Sequence, residues 1–282
     1  MRIGDAAERI IAGRWIAGAS IMDAIERSKR LNASGIKAVI NYLGEEFDDE
    51  EDVTDAVNTY LMLIREISRT HIKADISMKA SQIGLRISRS KFTDNFSKIV
   101  KFADGKKVFV WLDMENANDV GATIAAYSSQ LRKNHNIGIC IQSYLKRSSS
   151  DIKRLLKIGA AIRLVKGAYS ADPSAAYQTR QDTTINYIKL MKYLFLNSKS
   201  FVIATHDAEI ISAAKKLNAD NKRRVWYAML NGIRNSYAIK LAARRENVEI
   251  YVPFGRRWVS YSYRRLKEAS NLSLVLRSLF SG

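Results

Sequence analysis

The chain has 282 residues, one cysteine and two prolines, and its 46 basic against 28 acidic residues give a formal net charge of +18. That length suits one large core or two small ones, and a hydrophobic content of 47% is ordinary for a globular protein. The lone Cys140 excludes an intrachain disulfide, and so few prolines and glycines argue against long linkers or low-complexity segments. Residues 5–32 read as helices ahead of the main pattern, with Ile10, Ile11, Ile16, Ile21 and Ile25 at apolar positions. A theme then repeats: a short β-rich run, a polar or glycine turn, an amphipathic helix. The runs are Ile36–Leu43, Asp75–Ala80, Val108–Met114, Ile137–Gln142, Ala161–Val165, Phe201–Thr205, Val225–Leu230 and Val248–Val252. Helical patterns lie near 50–68, 90–104, 117–132, 148–158, 174–197, 207–217, 233–245 and 256–268. Most runs look apolar on both faces, as buried parallel strands do. Pro253 and Gly255 are expected to break the last one.

Eight strand–helix units predict a closed (β/α)₈ barrel. A doubly wound sheet is the alternative, but its glycine fingerprint has no counterpart, since no GxG occurs in the chain. In such barrels the active site forms at the carboxyl ends of the strands. Polar residues recur there: Glu45 after strand one, Lys79 and Gln82 at strand two, Asp113 and Glu115 at strand three, Gln142 and Tyr144 at strand four. Strand five carries Arg163 and ends in Lys166-Gly167-Ala168-Tyr169. Strand six ends in Thr205-His206-Asp207, and strand eight leads to Tyr251. Strand seven, ending in Leu230, is the exception. Turn formation and helix capping explain such residues singly; their recurrence at one end points to a site.

Several chemistries are excluded. His71, His135 and His206 lie far apart with no zinc-ligand spacing. There is no GxSxG elbow and no P-loop. A lysine at a strand end, Lys166 or Lys79, would suit a Schiff base. The run Val165-Lys166-Gly167-Ala168-Tyr169 reads rather as a backbone turn against phosphate, with Gly167 and Ala168 allowing close approach and Lys166 and Arg163 supplying charge. The basic residues are dispersed, with no basic tail or aromatic-interleaved patch, so nucleic-acid binding is not the expected use of the charge. Asp5, Glu8 and Arg9 interrupt any signal-peptide core, and no apolar run nears the ~20 residues that span a bilayer. The apolar tail Asn271–Phe280 has two readings, packing on the body or lying on a membrane surface.

The last predicted helix is the densest in chemistry. At 100° per residue, Trp258, Tyr261, Arg264, Arg265 and Glu268 fall within roughly 120° on one face. Two readings fit: a pocket gripping a small anion with paired guanidinium forks, or a surface ion pair with an aromatic anchor.

The segments LGEE (43–46), MKASQIG (78–84), LDMEN (112–116), IQSYL (141–145), RLVKGAY (163–169), ATHD (204–207), MLNG (229–232) and YVPFG…WVSYSYRRLKE (251–268) occur in an order that resembles the proline dehydrogenase family over nearly the whole chain. The resemblance implies a distorted (β/α)₈ barrel with N-terminal helices and a C-terminal helix over the strand ends. It implies a single domain, with an arm over 1–34, the barrel over 35–268 and a tail over 269–282. It implies non-covalent FAD, oxidation of L-proline to Δ¹-pyrroline-5-carboxylate and a quinone acceptor. The expected location is cytoplasmic, with peripheral association to anionic lipid on the inner face of the cell membrane. By the same resemblance Arg264 and Arg265 grip the substrate carboxylate beside Lys79, Asp113 orients Lys79, and Glu45 and Glu268 hold arginines. Tyr169, Leu230, Tyr251 and Tyr261 pack round the ring. Gln142, Arg163, Val165, Lys166, Gly167, Ala168, Thr205 and His206 contact FAD. Trp226 and Ala228 depart from the family pattern, where Glu and Gln are frequent, and Arg256-Arg257 adds charge beside the substrate entrance.

Overall fold

The computed structural model describes residues 15–257. Eight parallel strands close into a barrel in chain order: β1 (Lys37–Tyr42), β2 (Ala74–Lys79), β3 (Val110–Asp113), β4 (Ile137–Gln142), β5 (Ala161–Val165), β6 (Ser200–Ala204), β7 (Arg224–Leu230) and β8 (Asn247–Phe254). Helix α1 (Ile21–Ala33) precedes β1. Helices α2 (Glu50–Thr70), α3 (Arg89–Gly105), α4 (Val120–Leu131), α5 (Ser148–Lys157), α6 (Arg180–Asn197), α7 (Ala208–Asn221) and α8 (Asn235–Ala243) follow β1 to β7 in turn. The expected helix over 256–268 lies outside the described residues from Trp258 onward, and with it Tyr261, Arg264, Arg265, Glu268 and the tail.

Local chemistry sets the helix starts. Asp49 caps α2 by accepting from the Glu51 and Asp52 N–H groups, and Glu50, Glu51 and Asp52 add negative charge at the positive end of the helix dipole. Helix α6 starts at Arg180, six residues later than the periodicity predicts. The chain from Asp172 turns back, Leu145 and Ala176 form an antiparallel bridge, and only then does Thr179 cap the helix through the Asp182 N–H. Strand β8 runs on through Pro253, which pairs in register with Asn41, so the expected break at this proline is corrected. The Pro253 carbonyl accepts from Ala17 N–H, and the β1–β8 pairing that closes the barrel continues to Phe254.

The strands are not apolar on both faces. Their outward side chains, such as Ile40, Ile76, Leu112, Ile139, Leu164, Ile203 and Ile250, join the large core beneath the helices. The inward positions alternate with them and carry Lys37, Asp75, Ser77, Arg163 and Glu249 around a small apolar plug of Val39, Trp111, Val202 and Ala228. A Cβ at Gly138 would stand 2.4 Å from the Trp111 ring, so the indole needs a glycine on β4 to lie where it does.

Candidate active site

The register of the parallel ladders collects the strand ends into one ring. Lys79 pairs with Asp113, Gln142 with Val165, Val165 with Ala204, and Leu230 with Tyr251. In-register neighbours share a sheet face, so these side chains line one mouth of the barrel. Lys166 and Thr205 follow directly on β5 and β6. The sequence positions thus come together at the same end.

Asp113 is the hub of this mouth. It accepts from the Tyr251 hydroxyl at 2.9 Å, from Ser77 Oγ at 2.8 Å and from the Cys140 thiol at 3.0 Å. The Arg163 guanidinium lies 3.5 Å from the same carboxylate. Lys79 is buried on the next strand, and its charge acts on the buried Glu115. Burial pushes the Glu115 carboxyl up, while two bonds from Ser81 and the nearby Lys79 pull it back. Burial likewise pushes the Cys140 thiol well up, and the neighbouring Asp113 charge adds to this. Cys140 therefore borders the site as a neutral thiol donor.

Below the mouth runs a network that the sequence reading missed. Arg163, only 4% exposed in its side chain, reaches Glu249 at 3.3 Å and stacks 4.2 Å above the Trp111 ring. Glu249 is fully buried and also meets Lys37 Nζ at 3.0 Å. Lys37 continues to Asp75 at 2.6 Å, and Asp75 accepts from the Trp111 indole N–H at 3.1 Å. Burial works against the charge of Arg163, but the Glu249 and Asp113 carboxylates outweigh it and raise its pKa. Burial works against Lys37 too, and Glu249 and Asp75 outweigh it. A signal was present: Asp75, Ser77 and Lys79 alternate along β2, as Glu249 and Tyr251 do along β8.

The remaining predicted residues fall around the rim. Tyr169 donates to Glu45 at 3.3 Å, and Glu46, next in the chain, holds Arg86 together with Asp119. Gly167 has φ +108°, and a Cβ there would fall 2.2 Å from the Tyr144 ring, so this turn requires glycine. Val165 and Lys166 offer their carbonyls to Ser143 and Tyr144, which fixes the turn to the end of β4, and Ala168 is exposed beyond it. Lys166 Nζ lies 3.2 Å from both Asp207 and Thr184. Burial alone would raise the Asp207 carboxyl, but Lys166 and the α7 N–H groups hold it below its ordinary range. Thr205 accepts from Asp207 N–H at 3.1 Å, and His206 Nε2 accepts from Leu230 N–H at 3.2 Å.

Buried polar atoms at this end without a hydrogen-bond partner among the described residues include Gln142 Oε1, an acceptor, Arg163 Nε, a donor, and the Tyr144 hydroxyl. Leaving such groups unpaired is costly. A heteroaromatic ring bearing both donors and acceptors fits that pair of demands.

The family model described as proline dehydrogenase matches residues 24–277. The chain belongs to the proline dehydrogenase family. Proline dehydrogenase 1 of Bacillus subtilis (strain 168) is 31% identical over 275 residues, which cover 96% of this chain and 91% of the relative. The proline dehydrogenase of Deinococcus radiodurans is 30% identical over 282 residues, covering 96% and 91%. In fold the chain resembles proline utilization A from Bdellovibrio bacteriovorus inactivated by N-propargylglycine, with a TM-score of 0.89 and 22% identity. That match covers 99% of this chain and 35% of the longer protein, so the chain spans about a third of it.

Two departures from the proline dehydrogenase pattern find places in the barrel. The Trp226 ring lies under Lys37 Nζ at 4.3 Å, and Ala228 completes the apolar plug with Trp111. Both therefore border the buried network. Arg257 stacks on Phe47 and reaches Asp52 at 2.5 Å, on the side of α2.

Proposed function

We propose that this proline dehydrogenase oxidises L-proline to Δ¹-pyrroline-5-carboxylate with non-covalent FAD as hydride acceptor, and that a quinone takes the electrons onward. The observation that carries the reading is the ring at the carboxyl ends of the strands, in which Tyr251 is locked on Asp113 beside the buried Lys79. FAD, when bound, supplies a two-electron acceptor for the hydride leaving C5 of proline. Gln142 and Arg163 would hold its ring through their unpaired polar atoms, and the turn at Gly167 with Thr205 and His206 would hold the remainder.

The chain's own residues then have distinct tasks. Lys79, with Arg264 and Arg265, binds the carboxylate and sets the direction in which the ring points. Tyr251 is fixed by its bond to Asp113, so its ring offers a rigid wall. Leu230 and Tyr169 would exclude water from the transfer. Tyr169 is in turn held by Glu45. The proline nitrogen must be neutral for hydride to leave the adjacent carbon, and the positive charge of Lys79 disfavours a protonated amine beside it.

Lys166 stands in an ion pair with Asp207, and Lys79 lies close enough to the buried Glu115 to act on its carboxyl, so both lysines have carboxylates beside them at the strand ends. Among the described residues no helix is long and apolar enough to cross a membrane. Contact with the membrane that holds the quinone is proposed as peripheral. The test is turnover: with FAD and an artificial dye acceptor, proline should give a cyclic imine that an aromatic aminoaldehyde traps. No dye reduction at saturating proline and FAD would reject the reading.

A further inference from the structure

Helices α5 and α6 form a groove on the outer wall of the barrel. Its walls are Lys153 of α5 and Ile185, Lys189, Lys192, Tyr193 and Leu196 of α6. Two of these side chains are large, apolar and unusually open to solvent, Ile185 at 58% and Leu196 at 71%. Each costs free energy in water, and their i, i+11 spacing puts them on one stripe of α6. Lys189 and Lys192 lie between them, and Lys153 extends over the Tyr193 ring at 5.7 Å.

Acidic residues are sparse on this face: the exposed Asp182, in the first turn of α6, accepts from the Thr179 hydroxyl. From Thr183 to Lys199 the chain has no Asp or Glu. The one carboxylate of α5, Asp151, is buried and already paired with Arg147 and Arg154. Lysines flanking exposed aliphatic side chains match a surface that is anionic outside and apolar a few ångströms below. An acidic protein groove would satisfy the lysines but leave Leu196 in water, and an apolar one would strand the lysines.

We infer that the α5–α6 face docks the protein on an anionic lipid bilayer, with Lys153, Lys189 and Lys192 at the headgroups and Ile185 and Leu196 entering the acyl boundary. This deepens the peripheral-membrane part of the proposed function and assigns it to the barrel wall rather than to the C-terminal tail. Dye-linked turnover in solution is independent of it, so a failure of docking and a failure of the enzymatic reading are separable.

The test is partition of the full chain onto vesicles of phosphatidylcholine with phosphatidylglycerol. The triple variant Lys153→Glu/Lys189→Glu/Lys192→Glu should lose on the order of 100-fold in partition, since each lysine near such a surface contributes about a tenfold factor or less. Its dye-linked turnover should stay at the wild-type level. A charge-matched control on α3 and its C-cap, Lys98→Glu/Lys101→Glu/Lys106→Glu, should partition like wild type. Ile185→Ser/Leu196→Ser should weaken partition with all lysines kept. Absence of wild-type partition would overturn the inference, and so would equal loss in the two lysine variants. A serine variant that binds like wild type would also overturn it, leaving only adsorption of a basic protein.

Discussion

Glu249→Ala should destabilise the protein by about 3–5 kcal/mol, the range found when one partner of a buried ion pair is removed. Glu249 is fully buried and stands between Arg163 at 3.3 Å and Lys37 at 3.0 Å. Its loss leaves Arg163, itself almost fully buried, with Asp113 as its remaining carboxylate at 3.5 Å. The buried guanidinium is then left with a weaker counter-charge, and truncation to a methyl group leaves a cavity in the barrel interior. Thermal unfolding should fall by roughly 6–20 °C for a domain of this size. Glu249→Gln keeps the shape and one acceptor, so its loss should be smaller. A drop below about 2 °C in the alanine variant would mean that the barrel interior relaxes or hydrates around the cations, contrary to the close packing seen here.

Arg264→Met and Arg265→Met should each cost on the order of 10- to 100-fold in apparent affinity for proline. A charge-assisted hydrogen bond contributes about 1.5–3 kcal/mol, and 1.4 kcal/mol is about tenfold. Methionine keeps much of the length and deletes the guanidinium fork. The loss in kcat should be larger where the ring also loses its alignment with the flavin. FAD content should hardly change. An ion pair serving only structure predicts the reverse, a lower melting temperature with proline kinetics intact. Measuring both quantities on both variants separates the two roles.

The sequence legibly encodes the barrel because its outward face is apolar at every strand and its turns are marked by glycine and polar residues. The runs at Ile137–Gln142 and Ala161–Val165 match β4 and β5 residue for residue. The inward face was harder to read. Whether Asp75 or Glu249 points to solvent, to the helices or to the barrel axis depends on closure of β8 against β1, and a local pattern carries no information about that contact. The start of α6 was missed for a related reason: the 3.6-residue pattern begins near residue 174, but the bridge from Ala176 to Leu145 holds that stretch off the helix. Pro253 misled in the opposite direction, since a strand can keep its pairing at a position where no ladder donor is required.

Within the site, residue types were more legible than partnerships. Lys79, Asp113 and Tyr251 do share the mouth of the barrel. Asp113, however, bonds to Tyr251, Ser77 and Cys140, which stand on three different strands. Lys166 read as a free charge for phosphate, and it sits against Asp207 and Thr184, the start of α7 and the first turns of α6. Such pairings join residues between 18 and 138 positions apart, a separation over which sequence spacing says nothing.

The most direct test of the central claim is the visible spectrum of the FAD-loaded protein under anaerobic conditions, before and after proline is added. The protein should be yellow, and its absorption bands should bleach on addition of proline with no acceptor present, then return when a quinone is supplied. A protein that takes up no FAD, or whose flavin bands stay unchanged at saturating proline, would contradict the account.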